Sequence, residues 1–130
     1  MPLPKYVRLQ GRETSWITKK PVGIFTLCWR RIKDGVFDET EKNIFLEVEK
    51  FFVENLPYPP FYGENHNDAT ANTEGVICYY KTSYANAIMG RFDPVFEVLD
   101  KHKIPYDIIY TNDPGKILYE DDCQVAVVDP

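Results

Sequence analysis

Several things are scarce in this 130-residue chain, and each scarcity narrows what it can be. It has two histidines, His66 and His102, and three cysteines, Cys28, Cys78 and Cys123, with no C-x-x-C pair among them. That spacing fits neither a disulfide framework nor a zinc ribbon, so the cysteines read as reduced thiols in a cytoplasmic protein. No apolar run approaches the ~20 residues that a membrane span needs. The longest, Pro21 to Trp29, is broken by Thr26 and bracketed by Lys20 and Arg30. The first ten residues hold Pro2, Pro4, Lys5 and Arg8 with no signal-peptide core behind them, which points away from secretion. The chain also lacks G-x-G-x-x-G, G-x-x-x-x-G-K-[ST], H-E-x-x-H, G-x-S-x-G and an EF-hand loop, which disfavours enzymes built on those devices.

What is present suits one soluble domain: 44% hydrophobic, 15% aromatic and 27% charged residues, enough apolar content for a single core. The net charge of -5 disfavours nucleic acid or an anionic membrane as the main partner. The charge is uneven. Residues 1–35 carry eight basic and two acidic side chains, a net of +6, and the remainder carries 7 and 18, a net of -11.

Residues 1–20 read as an unassigned N-terminal arm with a brief strand near Trp16 and Ile17, ahead of a single α+β domain over 21–130. A helix is expected over 22–34 from the spacing of Ile24, Leu27, Cys28 and Ile32, with Arg30, Arg31 and Lys33 at its C-terminus and Gly35 as its stop. A strand with Phe25, Leu27 and Trp29 alternating is the rival reading. The second helix is the clearest element. Asp38 and Glu41 form a capping box, and Ile44, Phe45, Val48, Phe51, Phe52 and Leu56 form one apolar stripe. Pro57, Pro59 and Pro60 end it, and 63–75 follows as a flexible polar loop. Val76 to Thr82 reads as a strand. A third helix, capped by Ser83, runs from Tyr84 to Lys101, with Gly90 and Pro94 predicting a kink or two shorter helices. Pro105 to Thr111 is a further strand, ended by the turn Asn112-Asp113-Pro114-Gly115. A hairpin around Asp121-Asp122 closes the chain and pairs Leu118 with Val125 and Ile117 with Ala126. The sum is an α+β fold: a mostly antiparallel sheet of about four strands under two to three helices.

Chemistry-bearing residues are few, and most have structural explanations. Glu64, His66 and Asp68 lack the fixed geometry of a metal site, and His102 suits a helix C-terminus. The cysteines read as inert packing, Cys123 with its pKa raised by Asp121 and Asp122. Pro59-Pro60-Phe61-Tyr62 matches a WW-domain docking pattern, although the prolines already serve to end a helix. Glu120 shares a hairpin face with Leu118 and Val125, so its carboxylate needs a partner, either Lys81 or one of Arg30 and Arg31. Trp29-Arg30-Arg31 combines an aromatic with two guanidinium groups, which suit a phosphate or carboxylate unless the acidic body neutralises them. The candidate binding residues are therefore Trp29, Arg30, Arg31, Lys81 and Glu120.

The segments Pro21-Val22-Gly23-Ile24-Phe25-Thr26-Leu27-Cys28-Trp29-Arg30, Asn55-Leu56-Pro57-Tyr58-Pro59-Pro60, Cys78-Tyr79-Tyr80-Lys81-Thr82 and Tyr110 to Asp121 resemble a family of small, mostly uncharacterised bacterial proteins. The resemblance implies no activity, cofactor or catalytic residue. The functional expectation is a non-catalytic binding or interaction domain for a protein or an anionic small molecule, without cofactor or metal. The alternative is a small enzyme using Glu120 as acid/base and Lys81 or Arg30 as an anion clamp.

Overall fold

A computed structural model describes residues 4–15, 19–56 and 76–128. The expectations for Trp16 and Ile17, for Pro57 to Tyr62, for the 63–75 loop and for His66 lie outside them. The architecture is α+β. Six antiparallel strands form the sheet: β1 (Tyr6–Thr14), β2 (Pro21–Gly23), β3 (Ile77–Lys81), β4 (Tyr106–Thr111), β5 (Lys116–Glu120) and β6 (Gln124–Val128). The helices are α1 (Ile24–Lys33), α2 (Glu39–Asn55), α3 (Thr82–Ile88) and α4 (Asp93–Lys101), with a 3-10 turn, Met89–Phe92, joining the last two.

The sheet is larger than the expected four strands because residues 6–14 form β1 and are no arm, and because Pro21–Gly23 form β2 where the helix was expected to begin. β1 lies inside the sheet, paired with β4 on one side and with both β3 and β2 on the other. Its alternation explains this. Leu9, Gly11 and Glu13 face the helices, and Gly11 is needed because a Cβ there would lie 3.0 Å from Leu27 Cδ1. On the opposite face stand Arg8, Gln10 and Arg12, the last bound to Asp107 at 3.2 Å. β3 leaves β1 after Val7, and β2 joins it at Gln10. Arg8 fills the divergence: Nη1 donates to the Cys78 carbonyl at 3.0 Å and Nη2 to the Pro21 carbonyl at 2.9 Å. One buried guanidinium thus satisfies two strand carbonyls where the ladder splits.

The helix reading of 22–34 holds for Ile24–Lys33, with Arg30, Arg31 and Lys33 in its last turn and a positive φ at Gly35. The Asp38/Glu41 capping box is present. The third helix is two helices, as Gly90 and Pro94 suggested, but it starts at Thr82 rather than Tyr84 and no side chain caps it. The 3-10 turn delivers Phe92 into a cluster with Phe25, Phe52, Tyr80 and Phe96.

The final hairpin differs in register from the expected pairing. Ile117 pairs with Val127 and Glu120 with Val125, with Leu118 as the extra residue between. Asp121 fixes the turn, accepting from the backbone N–H groups of Cys123 at 2.7 Å and Gln124 at 3.0 Å and from the Tyr119 hydroxyl at 2.8 Å. β6 is buried on both faces, whereas β5 is mostly exposed. The β4–β5 turn depends on Gly115, whose φ is +127° and whose Cβ would lie 2.4 Å from the Val128 carbonyl oxygen. Gly115→Ala is expected to cost at least about 1–3 kcal/mol, read as a lower urea midpoint. An unchanged midpoint would show that the turn tolerates an ordinary backbone conformation.

Candidate functional site

The five candidate residues fall into two groups that the sheet keeps apart. Trp29, Arg30 and Arg31 leave the last turns of α1, where cations oppose the helix dipole. They meet Glu13 on the helix-facing side of β1, near its C-terminal end. Arg30 Nη1 lies 3.1 Å from Glu13 Oε1 and Arg31 Nη1 lies 3.0 Å from Glu13 Oε2. Arg31 Nη2 adds Asp34 at 3.2 Å, and its Nε is buried without an acceptor. Trp29 is held as firmly: its indole N–H donates to Glu49 and its ring edge meets Phe45 at 5.5 Å. The basic patch is therefore neutralised within the fold, and Trp29 ties α1 to α2.

Lys81 and Glu120 form the second group. Lys81 ends β3 and pairs in register with Tyr6, at the start of β1. Seven residues separate Tyr6 from Glu13, roughly 23 Å of strand, and the two side chains point to opposite faces. Sequence reasoning joined these groups into one surface because the assignment of residues 1–20 as an arm hid the strand between them. Within the second group its expectation holds. Lys81 Nζ lies 2.6 Å from Glu120 Oε2, with the carboxylate half exposed and the ammonium more covered. The hydrogen bond to Glu120 raises the Lys81 pKa, against a smaller opposing effect of burial. The ammonium is thus firmly charged at neutral pH. Beside it opens a hollow of about 480 Å³ lined by Pro4, Lys5, Tyr6, Thr82, Ser83 and Asn86.

The remaining titratable groups serve the fold. Burial pushes the Cys28 thiol up to about 12, with the Glu49 charge adding to the effect. Cys123 is raised by burial first and then by Asp121. Thiols so shifted make poor nucleophiles. His102 does more than face a helix end, since its Nε2 lies 2.8 Å from Glu41 Oε2 and its ring stacks on Phe37. Among the described residues, no cluster of three His, Cys, Asp or Glu side chains is placed to hold a metal ion, and no helix is long and apolar enough to cross a membrane.

Glu13 and Arg8 were missed by sequence reasoning, and both lie on β1. The available signal was the alternation of Val7, Leu9 and Gly11 with Arg8, Gln10 and Arg12, a period-2 pattern with only two large apolar residues in it. Comparison with family models, curated proteins and solved structures gives no match to this chain.

Proposed function

We propose that the chain is a non-catalytic binding domain that takes an anionic group of its ligand at Lys81. The observation that carries this reading is the setting of the Lys81 ammonium, at the lip of an open hollow and balanced by a half-exposed carboxylate. With its carboxylate half exposed to water the pair is only partly shielded, so an incoming carboxylate or phosphate can compete with Glu120 for the ammonium. Lys5, Ser83 and Asn86 line the same hollow and offer further donors. Arg30 and Arg31 are already paired with Glu13 and stand at the far end of β1. An acid/base role for Glu120, with Lys81 or Arg30 as the anion clamp, has less support, because Glu120 Oε2 is itself bound to Lys81 and Arg30 is paired with Glu13 at the far end of β1.

The test is titration with inorganic phosphate and, separately, with a short glutamate-rich peptide, followed by the backbone amide NMR shifts of residues 81–83. Saturable shifts are expected. Lys81→Met should weaken them about tenfold, and Glu120→Gln should tighten them several-fold by removing the internal competitor. A small-molecule site responds to phosphate, and a protein-docking site to the peptide alone. Unmoved amides in both wild type and Glu120→Gln, or equal affinities in all three proteins, would overturn the reading.

A further inference from the structure

We propose that the chain associates with a second copy of itself by antiparallel pairing of their β4 strands into one continuous sheet. Among the described residues, β4 has a single neighbour, β1, matched to it by an unbroken run of pairs from Tyr6↔Thr111 to Gly11↔Tyr106. No described strand pairs with its outer side, which is a regular sheet edge among the described residues. Such edges present a row of backbone donors and acceptors, and natural chains blunt them with prolines, lysines or bulges. The opposite border is blunted in this way. β5 carries the irregularity at Leu118, with Lys116 and Glu120 at its ends. β4, Tyr-Asp-Ile-Ile-Tyr-Thr, has no proline, lysine or bulge, and its one charge, Asp107, is held by Arg12. Ile108 and Tyr110, two residues apart and hence on one face, are 39% and 41% exposed.

The strand fits its own copy. With the two-fold axis at Ile109, Ile108 faces Tyr110 of the second copy, Asp107 faces Thr111, and Ile109 faces itself. That register matches the exposed aromatic with the exposed β-branched residue and opposes no like charges. Moving the axis to Ile108 sets Asp107 against an isoleucine, and moving it to Asp107 sets two carboxylates face to face. A single strand pair falls short of the roughly 1,200–2,000 Å² that stable interfaces bury, so the dimer is weak and depends on concentration. Each copy carries a net charge of -5, so added salt should strengthen association, whereas it should weaken anion capture at Lys81.

Sedimentation of the full chain from micromolar to millimolar concentration should show a reversible dimer. Ile108→Asp alone and Tyr110→Lys alone should each be monomeric throughout, with melting temperatures close to wild type because both positions are exposed. Mixing the two variants should restore the dimer, since the introduced carboxylate and ammonium meet in the proposed register. A wild type that stays monomeric at millimolar concentration overturns the proposal. A dimer that survives either single variant, or a mixture that remains monomeric, overturns it equally.

Discussion

Phe92→Ala is expected to lower the unfolding free energy by about 3–5 kcal/mol, the range for truncating a buried aromatic. Phe92 is 1% exposed and projects from the 3-10 turn between α3 and α4. Its ring centroid lies 4.8 Å from Phe52 of α2, 5.9 Å from Phe25 of α1, 6.0 Å from Phe96 of α4 and 6.5 Å from Tyr80 of β3. One side chain therefore joins three other helices to the sheet. Truncation removes its transfer energy and leaves a hole that four separate elements would have to move to fill. Against a typical total of about 5–15 kcal/mol, the loss is large enough to leave a measurable unfolded fraction at elevated temperature. Urea denaturation measures it, with Val53→Ala as the control. Val53 is on α2 and 42% exposed, so its truncation should change stability by no more than about 0.5 kcal/mol. Equal costs at the two positions would mean that the aromatic cluster is not the centre of the core.

The elements legible in the sequence were those whose signals are local. α2 announced itself through Asp38, Glu41 and an apolar stripe, and each part of that signal is contained within the helix it specifies. The break at Gly90 and Pro94 was visible for the same reason. β1 was not, because its buried face carries only Val7 and Leu9 ahead of a glycine: the space a large side chain would occupy at Gly11 is filled by Leu27 of α1. The hairpin register failed at the turn, which is centred on Asp122-Cys123 and not on Asp121-Asp122, so that Glu120 meets Val125; the extra residue at Leu118 then takes back part of the shift. Half of the candidate site followed the same division. Lys81 and Glu120 were matched by the argument that a carboxylate among apolar neighbours needs a cation. Arg30 and Arg31 looked like an open patch because their counter-ion, Glu13, lay in a segment that had been given no structure.

Glu41 carries the second large effect, and here pH is the probe. The residue is buried, and its carboxylate has three partners from two parts of the chain. Oε1 accepts from the Asp38 backbone N–H at 2.8 Å, closing the capping box, while Oε2 receives His102 Nε2 at 2.8 Å and Lys101 Nζ at 3.2 Å. The Asp38 backbone hydrogen bond lowers its pKa most, against an opposing effect of burial, and His102 and Lys101 lower it further, to about 2. A carboxylate depressed in the folded state binds its proton more readily when unfolded. Its contribution is therefore complete above the unfolded value near 4.5 and is lost as pH falls through that value towards 2. Glu41→Ala removes a helix cap, worth about 1 kcal/mol, together with charge-assisted bonds worth about 1.5–3 kcal/mol, so a loss of about 2–4 kcal/mol is expected at neutral pH. Glu41→Gln keeps an acceptor for the Asp38 amide and loses only the charge at the α2–α4 junction, so it should cost less. The difference in stability between wild type and Glu41→Gln should shrink as pH falls from about 5 towards 2. A difference that stays constant across that interval would show that neither the Asp38 amide nor His102 and Lys101 favour the charged form of Glu41 in the folded state.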